Sequence, residues 1–168
     1  RVPLIVRYPE VFKGGEVDRR FVDLNDILPT VLDAAGVAYP NPAILPGESV
    51  LKKSGFKDRT KQYVEHAHGS RRWASIRNAQ YKYTYYYGGG KEELFDMVND
   101  PDETTNLLAA HETCEGSRQN LPSEGVSAVR EELHAALVEQ EKRYGLEGYV
   151  KDDELVVLDE MQPFFYRE

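Results

Sequence analysis

The chain has one cysteine, one tryptophan and two methionines in 168 residues. A single thiol, Cys114, forms no internal disulfide, so the fold is not stapled like a small secreted domain, and cysteine usage leaves the redox compartment open. Long apolar runs are missing too. The longest, residues 3–6 and 155–158, fall far short of the roughly 18 residues a bilayer-spanning helix needs, so no membrane segment is expected. Basic charge is scarce: 21 Lys and Arg against 29 Asp and Glu give a formal charge of −8. That balance repels phosphate backbones and argues against nucleic-acid binding. No basic-then-apolar leader follows Arg1, so a targeting signal is expected outside residues 1–168.

What is present suits a globular chain. With 40% hydrophobic, 11% aromatic and 30% charged residues, it has the means to bury a core and is not of the disordered class. Its length fits one ordinary domain, or a small domain plus part of another. Val2-Pro3-Leu4-Ile5-Val6 is continuously apolar, the pattern of a strand buried on both faces of a parallel α/β sheet. Leu24, Ile27, Leu28, Val31, Leu32 and Ala35 then recur at helical spacing before Gly36, a helix whose first turn accommodates Pro29 if it starts near Leu28.

Pro40, Pro42, Pro46, Gly47 and Gly55 mark a connector, which puts a boundary near residue 58 between a part at 1–58 and another at 59–168. Beyond it, segments 62–67, 72–77, 81–87 and 93–98 are β-rich and separated by turn residues, implying an antiparallel meander. Tyr81, Tyr83, Tyr85 and Tyr87 share one face, and Lys82, Thr84 and Tyr86 the other. A tyrosine ladder of this kind reads as packing. Asp100-Pro101-Asp102-Glu103 has the layout of a capping box opening a short helix to about Leu108. Val126, Val129, Leu133, Ala136, Leu137 and Tyr144 form the apolar stripe of a long helix, about 126–144, with Glu131, Glu132, Glu139 and Glu141 off it. This helix is expected to cover the sheet, and the aromatic tail at 163–166 must also dock somewhere.

The motifs that suggest chemistry mostly have plainer readings. Gly88-Gly89-Gly90-Lys91 lacks the first glycine and the Ser or Thr of a phosphate loop, and reads as a hairpin turn. Asp96, Asp100, Asp102 and Glu103 lack the central glycine and terminal Glu of a calcium loop, so capping explains them. His111 and His134 read as exposed, in a loop and on a helix surface. The one corner with binding character is His66, His68, Arg71 and Arg72, two imidazoles and two guanidiniums around Gly69-Ser70 in an otherwise acidic chain. His66 and His68, two apart on a strand, would share a face. The alternative is a solvated hairpin corner paired with Glu65.

The order of segments resembles the closing stretch of the sulfatase catalytic domain. The residues that carry this are 1–9, Val22-Asp23-Leu24 with 28–37, and Pro46-Gly47-Glu48-Ser49. The likeness continues through Trp73-Ala74-Ser75-Ile76-Arg77, Tyr81-Lys82-Tyr83 and Glu93-Leu94-Phe95-Asp96, to 100–103 and Asn106-Leu107, resembling the smaller C-terminal subdomain of sulfatases. It covers residues 1 to about 108. It implies an α/β fragment: the last strand and helix of a large α/β domain, then an antiparallel four-stranded sheet packed on an amphipathic helix.

The function so implied is hydrolysis of sulfate esters or N-sulfates, with a formylglycine and a calcium or similar divalent cation. The family's formylglycine motif and metal ligands lie upstream of the segment matching Arg1, so no catalytic or metal residue is expected here. Cys114-Glu115-Gly116-Ser117-Arg118 has Gly116 where the modification motif has proline or alanine, and Cys114 reads as a loop thiol. His66, His68, Arg71 and Arg72 would then contact a sulfated small molecule or glycan, beside the N-terminal catalytic region of the same protein. Periplasmic or secreted residence follows from the resemblance, and association through an exposed sheet edge is a further expectation. Two alternatives stay open: a phosphodiesterase or phosphonate hydrolase of the same superfamily, and a non-catalytic module binding an acidic glycan or protein.

Overall fold

The computed structural model describes residues 3–41, 44, 47–52, 59–109 and 123–159. Cys114, His111 and the aromatic tail therefore lie outside the described residues. The chain divides into two compact units, Arg1–Thr60 and Lys61–Glu168.

The first unit is organised by one buried carboxylate. Asp23 accepts the Asn25 N–H, and its own N–H donates to Asp26, a reciprocal cap on the short 3-10 turn Leu24–Asp26. Helix α1 (Ile27–Ala34) follows, with Pro29 in its first turn, where a missing N–H costs nothing. It ends in a Schellman motif: Gly36, at φ 65°, donates to Asp33 O while Val37 donates to Leu32 O. Asp26, wholly enclosed, also accepts the Glu48 N–H and both terminal nitrogens of Arg59, at 2.6 and 2.9 Å.

One expectation for this unit does not hold. Residues 3–6 form no strand, and Ile5 is 91% exposed. A strand buried on both faces needs a partner on each edge, and no described segment pairs with these residues. The apolar stripe of α1 is also uncovered, with Leu24, Ile27, Leu28 and Val31 all exposed.

The second unit is the meander that the alternating pattern implies. Strands β1 (Gln62–His66), β2 (Trp73–Arg77), β3 (Tyr81–Tyr86) and β4 (Lys91–Asp96) pair antiparallel in sequence order. The register aligns Tyr63, Ile76, Tyr83 and Leu94 across one face. Helix α2 (Ser123–Tyr144) lies against β2 and β3 on that side, and Val126, Leu133, Leu137 and Val138 close the core with Ala74, Tyr85 and Tyr87. On the other face Ser75 donates to Tyr83 O and receives the Thr84 hydroxyl. At the β4 edge, Leu94 N–H donates to Asn106 and Leu94 O accepts the Leu107 N–H, so a loop occupies that edge at this point.

Residues 100–108 do not form the expected helix. Glu103 is left-handed, at φ 56°, which interrupts helical geometry. Asp100 instead accepts from the N–H groups of Thr104 and Thr105 and from the Thr104 hydroxyl. After α2, β5 (Val150–Lys151) and β6 (Glu154–Leu155) close a tight hairpin whose turn residues Asp152 and Asp153 both take positive φ. The chain then runs beside the glycine turn, Leu158 bonding to Tyr87 O and accepting from Gly89.

A fork of two bonds from Arg130 on α2 to Glu92 on β4 ties helix to sheet. Burial alone would raise the Glu92 carboxyl, but the bonds to Arg130 outweigh it and hold it below its ordinary value of 4.5. A carboxylate held low when folded stabilises above its unfolded value, and that contribution is lost as pH falls through the folded value. Arg130→Met should therefore show a shallower loss of stability than the parent between about pH 5 and pH 3, measured by urea unfolding across that range.

Candidate functional site

The basic corner is a turn between β1 and β2. Strand β1 ends at His66, Ala67 takes φ 60°, and Gly69–Arg71 make a single 3-10 turn with Gly69 at φ 61°. The left-handed Ala67 breaks the strand alternation, so the geometry expected to align His66 and His68 on one face is not formed. Both imidazoles are exposed, as is Arg71, and the His66 ring lies 5.7 Å from Trp73.

Arg72 is placed differently from its three companions. Only 1% exposed, it points into the unit, where Nη2 donates to both oxygens of Glu141, at 2.9 and 2.8 Å, and pairs with Glu65. Its guanidinium carbon sits 4.6 Å from the Tyr149 ring centre and 5.5 Å from that of Tyr87. Burial works against the charge, yet the hydrogen bonds to Glu65 and Glu141 outweigh it and raise the Arg72 pKa. The single Tyr63 O–H is shared between both carboxylates, 2.9 Å from Glu65 and 2.8 Å from Glu141. Burial, then those two acceptors, push its phenol far up, so it remains a protonated donor. Arg72 is therefore corrected from a surface contact to an interior one.

Glu141 is the site residue that sequence reasoning missed. It was expected off the apolar stripe, but it lies four residues after Leu137 and eight after Leu133, on the same helical face. That spacing was the available signal. His134 is corrected as well: its side chain is 15% exposed, Nδ1 lies 2.9 Å from the Tyr83 hydroxyl and Nε2 3.3 Å from Glu154.

The turn is backed from behind by glycine. A Cβ on Gly88 would lie 2.3 Å from the Ser70 carbonyl oxygen, so only glycine permits this approach. Among the described residues, no three His, Cys, Asp or Glu side chains gather to hold a metal ion. Asp96 and Asp100 accept from backbone N–H groups, and Glu103 pairs with Lys82. No helix among the described residues is long and apolar enough to cross a membrane.

Comparison with known proteins gives one family. The model for "N-sulphoglucosamine sulphohydrolase, C-terminal" matches residues 1–143. An N-acetylglucosamine-6-O-sulfatase of Bacteroides thetaiotaomicron is 31% identical over 122 residues, covering 67% of this chain and 22% of the relative. Arylsulfatase K of Bos taurus is 38% identical over 122 residues, covering 64% and 22%. In three dimensions the chain is similar to BT4656, solved in complex with its substrate D-glucosamine-2-N,6-O-disulfate, with a TM-score of 0.65 and 25% identity, covering 83% of this chain and 28% of the other. The chain thus spans about a fifth of the length of the curated relatives it matches. With its meander, covering helix and family match in agreement, the chain belongs to the C-terminal region of the sulfatase family.

Proposed function

We propose that this chain is the C-terminal part of an enzyme that hydrolyses sulfate esters of a sugar or glycan, and that its corner at 66–71 faces the substrate. The family match carries the reading. Relatives named for sulfated amino sugars support the substrate class. The formylglycine and divalent cation that the family implies would be supplied upstream of the segment matching Arg1. No chemical step is assigned to them through this chain.

The chain's own contribution is recognition and support. His66, His68 and Arg71 stand exposed on a turn whose base is fixed, suited to counter anionic groups beyond the scissile sulfate. Arg72 holds that turn from inside. The exposed apolar face of α1 and of residues 4–6 supports a reading in which the first unit completes a larger α/β domain.

The test uses the full-length protein and its His68→Ala/Arg71→Ala variant. The parent should release sulfate from a sulfated glucosamine, and the variant should show a KM raised several-fold with kcat little changed. An unchanged KM removes the corner from the substrate site. Hydrolysis of a phosphodiester with no sulfate release would move the protein to another branch of the superfamily.

A further inference from the structure

The turn that carries His66, His68 and Arg71 is held in a conformation its sequence does not favour. Ala67 has a side chain, yet takes the left-handed region at φ 60°. Such a residue persists only where its surroundings over-determine it. The surroundings here are specific. Arg72 Nη1 reaches the Ala67 carbonyl at 3.5 Å, the Gly69 N–H donates to the Tyr149 hydroxyl, and Arg72 N–H returns to Gly69 O at 3.0 Å. The Tyr149 ring centre also lies 4.6 Å from the Arg72 guanidinium carbon, and Glu141 on α2 pairs with that guanidinium. All three of these bonds run through Arg72 or Tyr149, and both rest on the end of α2 or the segment just after it.

We propose that Arg72, Glu141 and Tyr149 form a positioning lock that presets the 67–71 turn for an anionic sugar substrate, resting on the reading of this corner as substrate-facing. Arg72, being enclosed, does not touch substrate; it acts through Ala67 and Gly69. A guanidinium suits this place because it sits against the Tyr149 ring while donating from different nitrogens to Glu141 and to Ala67 O. Lysine keeps the charge and loses both geometries. The core of Leu133, Leu137, Ile76 and Tyr83 does not include the Ala67 and Gly69 backbone, so loosening the turn alone leaves the sheet packed on its helix.

Tyr149→Phe and Arg72→Lys in the full-length protein test this. Tyr149→Phe keeps the ring and removes only the acceptor, so it tests the lock even where Arg72→Lys folds poorly. The Gly69 amide should exchange with solvent faster in both variants, while the Ile76 and Tyr83 amides keep their protection in Tyr149→Phe, which leaves the Arg72–Glu141 pair intact. KM for D-glucosamine-2-N,6-O-disulfate should rise on the order of ten-fold, with kcat and the KM for p-nitrophenyl sulfate little changed. Unchanged Gly69 exchange in both variants overturns the lock. So does an unchanged sugar KM in both variants when His68→Ala/Arg71→Ala raises it. If that double variant also leaves KM unchanged, the substrate-facing reading is what fails, and Gly69 exchange alone decides whether the turn is locked.

Discussion

Glu141→Ala is expected to lower the stability of the second unit by about 3 kcal/mol, toward the lower end of the range for breaking a buried ion pair. The lower end applies because Arg72, 1% exposed, would still have Glu65, whose side chain is 36% exposed and thus already partly solvated. Tyr63 would also lose one of its two acceptors. The contrast is the paired change Arg72→Met with Glu141→Leu. Removing both charges together spares the desolvation cost of each, so the double variant should be more stable than Glu141→Ala alone. Exchange of the Ala74 and Ile76 amides, which report opening of the sheet, measures both. A double variant less stable than the single one would mean that the ion pair outweighs its desolvation here.

The second large effect is expected at Asp26. Replacing it with alanine takes from the Arg59 guanidinium its two close carboxylate contacts, leaving Asp23 at 3.6 Å, and removes the acceptor of the Glu48 and Asp23 N–H groups at once. With about 1–3 kcal/mol lost per buried unsatisfied donor, the 23–26 turn and the 47–50 segment should come apart as a unit. Asp26→Asn keeps the shape but turns one acceptor into a donor facing a cation, so it should fall close to alanine. The readout is loss of exchange protection at the Glu48 and Val50 amides. Retained protection in both variants would show that Thr30, whose hydroxyl accepts the Val50 N–H, suffices to hold that segment.

The features legible in the sequence were the local ones. Alternation with period two, interrupted at 69–70, 78–80 and 88–90, locates four strands because a hairpin needs only its neighbours. The helix at 123–144 was legible from Val126, Leu133 and Leu137. What failed depended on partners that spacing does not reveal. Residues 3–6 have the composition of a buried strand and are exposed, since burial belongs to the sheet that receives them. The Asp100 motif bonds to Thr104 and Thr105 because a left-handed Glu103 turns the chain, a choice the four-residue pattern does not encode. At the candidate site, composition brought His66, His68, Arg71 and Arg72 to one corner, but strand alternation put His66 and His68 on one face, which the left-handed Ala67 prevents. Arg72 and Arg71 are adjacent and chemically alike, and only the tertiary position of Glu141 separates an interior cation from a surface one.

The separation between those two partners has a kinetic side. Arg72 and Glu141 are 69 residues apart, whereas each hairpin of the meander closes over a short turn. Loop-closure entropy favours the hairpins, so the sheet forms before α2 arrives to cover it. During synthesis the face carrying Tyr83, Tyr85 and Tyr87 thus waits uncovered until the helix emerges. Phenols wet such a face better than leucine or phenylalanine would, and two of them later spend their hydroxyls on late-arriving groups, Tyr83 on His134 and Tyr85 on Val156 O. The ladder that packs the finished core thus exposes hydroxyl-bearing rings, in place of purely apolar ones, on the face that is covered last.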